Sequence, residues 1–173
     1  MRPARPPLAT AREVSAGIII YRRTKEGPRF LLLFHGGRYW NFPKGKLEAG
    51  EKSFRAAVRE TWEETGLSFH DLKFKQSFSV SEQYTFLRER RRIFKTVTYF
   101  LAETGNAHIK LPKPGEGVKG EEHHGYGWFL YREALPLMMH ANLRKMLKRS
   151  YDTVVQRKNM PGSRTATTGV PTK

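Results

Sequence analysis

Glu60, Glu63 and Glu64 lie three and four positions apart, a spacing that sets their carboxylates on neighbouring points of one helix face. Three like charges so close repel one another unless a cation compensates. Carboxylate oxygens are the donors that hard divalent ions such as Mg²⁺ or Mn²⁺ prefer, and these ions complete their shell with water and substrate phosphate. The competing account is a solvated acidic face neutralised by Arg55 and Arg59, and the triplet alone fits both. The chain has no cysteine, so a thiolate nucleophile, a thiolate zinc site and a disulfide framework are all excluded.

The glutamates ride on the clearest helix of the sequence, Ser53 to Thr65. At 100° per residue Phe54, Ala57, Val58, Thr61 and Trp62 fall on one arc, with the three glutamates on the opposite one. The expectation is therefore that the apolar arc packs inward and the other face presents the carboxylates. Gly66 stands where a C-terminal cap belongs. Ahead of the helix, Val14–Tyr21 and Phe30–Phe34 read as strands joined by the turn signal Lys25-Glu26-Gly27-Pro28. Arg38 to Gly45 is a short extended stretch ending in a loop. Beyond the helix, Lys73–Val80 and Ile93–Ala102 have strand character, separated by a polar segment with Arg88, Arg90, Arg91 and Arg92. A long loop over 103–124 leads to a short strand, Gly125–Leu130, and a helical turn, Tyr131–Met138. Ala141–Arg157 carries Leu143, Met146, Leu147, Tyr151, Val154 and Val155 at helical spacing, a core-packing stripe.

The 173 residues suffice for one domain with a real core. Residues 1–12 read as a flexible basic arm with Pro3, Pro6 and Pro7, residues 13–157 as the domain, and residues 158–173 as a disordered tail. No apolar run approaches the roughly 20 residues that cross a bilayer, and no apolar h-region follows the N-terminal arginines. The expectation is a cytoplasmic protein with no membrane partner. Lysine and arginine number 32 against 16 acids, a net charge of +16 that attracts polyanions without naming one. Against that background an acidic triplet is conspicuous.

Spacing decides between the two accounts of the triplet. Gly45, Glu51, Arg59-Glu60 and Glu63-Glu64-Thr65-Gly66-Leu67 resemble the Nudix box, G-x5-E-x7-R-E-U-x-E-E-x-G-U, where U is a bulky aliphatic residue. Every fixed position is present, and the one departure is Thr61 at an aliphatic site. The resemblance implies an α/β fold, an α/β/α sandwich with a mixed central sheet. It also implies a role for each residue. Gly45 would allow a tight loop and lend its carbonyl to the metal shell, and Glu51 and Arg59 would brace loop against helix. Glu60, Glu63 and Glu64 would hold Mg²⁺ or Mn²⁺, with Glu60 and Glu64 as direct ligands, for water attack at phosphorus. A P-loop is rejected, because Glu51 separates Gly50 from Lys52 where that motif needs lysine directly after glycine.

Within the superfamily the sequence looks closest to the dinucleoside tetraphosphate (Ap4A) hydrolases. The stretches that carry this are Ser15-Ala16-Gly17-Ile18-Ile19, Trp40 with Pro43-Lys44-Gly45, Lys95-Thr96-Val97-Thr98-Tyr99, and Glu122-His123-His124-Gly125-Tyr126-Gly127-Trp128. By that resemblance Glu122, with Glu121 as the fallback, is a candidate metal ligand or general base. Tyr84 and Tyr126 are candidates to stack on a base, and Lys44 and Lys95 to contact phosphate. Trp40-Asn41-Phe42-Pro43-Lys44-Gly45-Lys46 also resembles RNA pyrophosphohydrolases and decapping members, and the basic surface would suit RNA. A non-catalytic nucleotide- or RNA-binding module is the third reading; such relatives lose box glutamates, and this chain keeps them.

Overall fold

The computed structural model describes residues 9–35, 39–112 and 123–156. Its elements run β1 (Thr10–Thr24), β2 (Gly27–His35), β3 (Tyr39–Asn41), β4 (Lys44–Lys46), α1 (Ser53–Thr65), a single 3-10 turn (Phe69–Asp71), β5 (Leu72–Arg88), β6 (Arg91–Thr104), β7 (His123–Leu130), α2 (Tyr131–Leu137) and α3 (Ala141–Gln156). The described strands form one sheet in the order β3-β2-β1-β6-β5, with β4 on β1 and β7 on β2. The β1–β6 pair is parallel and the others are antiparallel, so the sheet is mixed. Among the described residues no helix is long and apolar enough to cross a membrane.

Ile18, Ile19 and Ile20 explain the layering. Successive strand residues face opposite ways, yet all three are fully buried, so both faces of the sheet must be covered. Ile18 and Ile20 meet Ala56, Ala57 and Leu67 on the α1 side. Ile19 and Tyr21 meet Ala134, Leu143, Leu147 and Val154 from α2 and α3. The result is the α/β/α sandwich the family resemblance implies.

Several boundaries differ from the sequence reading, and Gly45, expected in a tight loop, lies in strand β4. Thr10, Ala11 and Arg12, expected in the arm, pair with Arg92, Ile93 and Phe94, so the strand begins inside that segment. The polar stretch after Val80 is also strand: β5 and β6 stay paired out to Arg88↔Arg91. Glu89 and Arg90 close that hairpin with φ of 48° and 61°. Polarity there reports a sheet end that outruns the core, not the absence of a strand.

The site is made by a divergence. β1 and β2 are paired only from Tyr21↔Phe30 to Thr24↔Gly27. Further along, β1 takes β4 as its partner and β2 takes β3, and the chain from Asn41 to Lys44 crosses between them. Asn41 fixes the crossing: its Oδ1 accepts from the Phe42 N–H at 2.8 Å and from the buried Tyr99 hydroxyl at 3.4 Å. The Ile18 N–H donates to the Pro43 carbonyl at 3.1 Å, and Gly17 has no side chain to obstruct Pro43 and Lys44.

Candidate active site

Helix α1 has the predicted bounds. Gly66 ends it in the left-handed region at φ 72°, where glycine carries no Cβ penalty, and its N–H caps the Trp62 carbonyl at 2.8 Å. Its buried face is the predicted one only in part: Ala57 and Thr61 are buried as expected, but the face is rotated towards the glutamates. Ala56, Ala57, Glu60, Thr61, Glu64 and Thr65 are buried, whereas Trp62 is 59% exposed and Phe54 is also exposed. The arc argument fails in that respect because Ala56 and Ala57, lacking bulk, let the helix approach the sheet on the carboxylate side. Phe54 instead covers the sheet margin, its ring 4.9 Å from Phe74 and 5.2 Å from Phe100.

Glu60 and Glu64 therefore point into the protein at β4, each only 6% exposed. Glu64 Oε2 accepts the Lys44 backbone N–H at 2.9 Å. The Glu60 carboxylate lies over Gly45, in the space a side chain there would fill. Arg59 holds the surroundings in register. Its Nε and Nη2 donate to the two oxygens of Glu51 at 3.1 and 2.9 Å, and Nη2 also donates to the Lys46 carbonyl at 2.9 Å. Its Nη1 donates to Glu60 Oε1 at 2.9 Å and to Glu63 Oε2 at 3.2 Å. One guanidinium thus ties Lys46 and Glu51 before the helix to Glu60 and Glu63 on it, a geometry its planar fork permits and an ammonium does not.

Burial pushes the Glu60 carboxyl up to about 7; Arg59 opposes this, and the charges of Glu64 and Glu63 add to it. On Glu51, which is less buried, the same lowering by Arg59 prevails, and the bidentate contact holds that carboxyl below its usual range. Glu63 lies at the rim, bonded to Arg59 and about a third exposed. Among the described residues no three His, Asp or Glu side chains converge on one point. The inward pair is Glu60 with Glu64. Two buried carboxylates, one of them costly to ionise, fit a hard cation that takes one or two carboxylates and fills its shell with water and phosphate. Glu121 and Glu122 lie outside the described residues.

A second group gathers on the α3 side of the sheet. Lys95 is almost buried and meets Glu13 at 3.3 Å. Burial pulls its pKa down against the pull of Glu13, with Lys44 and Lys46 adding like-charge repulsion. Tyr84 is directly across from Lys95 on β5 and is half-exposed. Glu82, one strand period before Tyr84, is raised by burial despite His140 and Lys44 nearby. Lys44, Lys95 and Tyr84 are thus brought into one electrostatic neighbourhood. Tyr126 is on β7 opposite Leu33, with no hydrogen bond or ring contact to Tyr84 among the described residues. Sequence reasoning passed over Glu13, Asn41 and Glu82. The alternation of β5 could have put Glu82 beside Tyr84; nothing local announces Glu13, which depends on the β1–β6 register.

Comparison with known proteins identifies the family. Residues 11–150 match the family model for the NUDIX domain. The bis(5'-nucleosyl)-tetraphosphatase [asymmetrical] of Mus musculus is 30% identical over 145 residues, covering 79% of this chain and 92% of its own length. That of Caenorhabditis elegans is 29% identical over 139 residues, covering 78% and 91%. The solved structure of a C. elegans Ap4A hydrolase binary complex superposes with a TM-score of 0.70 at 26% identity, covering 84% of this chain and 98% of that one. The chain belongs to the Nudix family and is a hydrolase of its pyrophosphohydrolase type.

Proposed function

We propose that the chain hydrolyses a phosphoanhydride bond in a dinucleoside polyphosphate such as Ap4A, by water attack at phosphorus. The observation that carries the reading is the buried Glu60–Glu64 pair, set against β4 by Gly45 and the Lys44 N–H and held by Arg59. These two carboxylates would hold Mg²⁺ or Mn²⁺, with the Gly45 carbonyl beside them and Glu63 at the rim. The bound ion supplies charge neutralisation on the polyphosphate and lowers the pKa of water. Arg59 keeps Glu60 oriented, and Glu51 keeps Arg59 oriented. Lys44 and Lys95 meet phosphate oxygens, and the Glu13 carboxylate holds the Lys95 ammonium in place. Tyr84 offers a half-exposed ring to a base, which stacks on any flat aromatic face. Tyr126 is the candidate for the second base, and Glu122 for a further ligand or general base.

The choice of Ap4A is supported by relatives of that activity matching more than three quarters of the chain. Glu64→Gln keeps the shape and removes the charge. Mg²⁺-dependent turnover of Ap4A is expected to fall by about 10²–10³-fold, the usual loss when one preorganised electrostatic group is removed. Unchanged turnover would show the catalytic assignment to be wrong. A large preference for 5'-triphosphorylated RNA over Ap4A, lost steeply with added salt, would overturn the substrate and favour the RNA 5'-end reading.

A further inference from the structure

The three strands β1, β6 and β5 outrun helix α1. On the α1 side, coverage ends near Ala16; past it lie three cross-strand rows on the same face. These are Val14, Thr96 and Gln83; then Arg12, Phe94 and Thr85; then Thr10, Arg92 and Leu87. Val14 is 44% exposed, Phe94 45% and Leu87 65%, and Arg12, Arg92, Thr85 and Gln83 are exposed as well. None of the nine is acidic. Of the acids nearby, Glu13 alternates to the other face, where it meets Lys95, and Glu89 is in the hairpin turn beyond the last row. Glu48 and Glu51 in the neighbouring box loop are turned to Arg59.

Charge selects the occupant. Residues 1–8 and 157–173 contain arginine or lysine and no acid, so the chain's own ends carry the same sign as the face. A second copy laid face to face would bring Arg12 and Arg92 against their own kind. A polyanion is complementary to both arginines, and the exposed Phe94 ring, next to Arg12 across the strands and to Arg92 along β6, suits an unstacked base. Threonine hydroxyls and the Gln83 amide can serve ribose hydroxyls, the groups that separate RNA from DNA. At about 6.6 Å per strand period and 4.8 Å between strands, the rows measure roughly 13 by 10 Å, enough for two or three nucleotides. We propose that this bare end of the sheet is a docking platform for single-stranded RNA, separate from the hydrolytic site.

The test uses a fluorescent decaribonucleotide with a 5'-hydroxyl, which has no phosphoanhydride to cleave, so that binding is scored independently of the hydrolase assignment. Fluorescence anisotropy should show binding to the full chain that weakens about tenfold in Phe94→Ala and equally in Phe94→Leu, the loss of one stacked base. The double variant Arg12→Gln/Arg92→Gln should weaken binding about tenfold at low salt and reduce the log–log salt slope by about 1.4. Lys145→Gln/Arg149→Gln removes two exposed charges from α3 and should change affinity less than about twofold. Nucleotide hydrolysis should be unchanged in all four, which also shows that they fold. No binding, equal losses in the two double variants, or equal affinity for single-stranded DNA or duplex RNA would overturn the proposal.

Discussion

The clusters around Glu103 and around Arg59 treat charge in opposite ways. Glu103 serves several donors: the Tyr21 hydroxyl at 2.7 Å, Arg23 at 3.3 Å and Lys75 at 3.5 Å. Glu13 is shared in the same manner by Arg88, Lys95 and Lys46. In a chain with twice as many bases as acids, that is the expected arrangement, each acid divided among neighbours. At the box the ratio inverts. There one arginine serves Glu51, Glu60 and Glu63, with Glu48 at 3.9 Å, and Glu64 lies buried behind them. An acid excess held inside a basic protein is an electrostatic debt that a bound cation would settle; burial raises the Glu60 carboxyl to about 7, and the neighbouring Glu64 and Glu63 charges add to it. The Glu103 hub holds the fold; the Arg59 hub holds a site.

The sharpest way to break the inversion is through Gly45. A methyl group there would occupy the space of the Glu60 carboxylate and turn it away from Glu64, with little effect on the strand itself. Gly45→Ala should reduce kcat/KM by about 10–100-fold and weaken the Mg²⁺ concentration dependence by a similar factor, the usual scale for groups that orient a metal ligand. Titrating Mg²⁺ against turnover gives both numbers. Wild-type Mg²⁺ dependence in this variant would mean that Glu60 does not need its seat on β4.

Arg59 tests the hub itself. Arg59→Gln leaves Glu51, Glu60 and Glu63 without their shared partner, and unfolding stability should drop by about 2 kcal/mol, between exposed and buried pairs. Arg59→Lys should recover less than half of this, since an ammonium cannot reach Glu51 bidentately and Glu60 as well. Urea unfolding with and without Mg²⁺ adds a second reading. The cation should restore part of the loss in Arg59→Gln, because it relieves the same repulsion.

At Glu103 the effect is smaller and depends on pH. Burial works to raise the Glu103 carboxyl, but the Tyr21 hydroxyl, Arg23 and Lys75 outweigh it and hold it below its ordinary 4.5. A carboxyl whose folded pKa is depressed binds protons less readily in the native state. Its contribution is therefore present above the unfolded pKa and is lost as pH falls through the folded value. Glu103→Gln should cost about 1 kcal/mol at pH 7 and flatten the fall in stability below about pH 4.5. Thermal unfolding between pH 3 and 7 would show it, with no change in Mg²⁺ dependence. A changed Mg²⁺ dependence would contradict the division of labour between the two hubs.

Trp62 marks the limit of what was legible. The box picked out residues that the structure brings together at β4, because its spacing is covalent information, and helix bounds followed from Gly66 and the polar flanks. Which face of α1 turns inward was legible only in part: the wheel placed Ala57 and Thr61 correctly, but it weighs bulk and polarity, whereas Ala56 turns the helix by fitting closely against β1. Lys95–Glu13 and Glu82–Tyr84 depend on strand register, which no single segment encodes. Trp62→Ala measures the helix rotation directly. On the predicted arc a buried tryptophan would cost about 3–5 kcal/mol on truncation. On the observed helix, where the ring is 59% exposed, the loss should stay under about 1 kcal/mol, with turnover intact. A loss of several kcal/mol would rotate α1 back to the wheel's orientation and swing Glu60 and Glu64 out towards solvent. The site's acid excess would then be solvated and would need no cation.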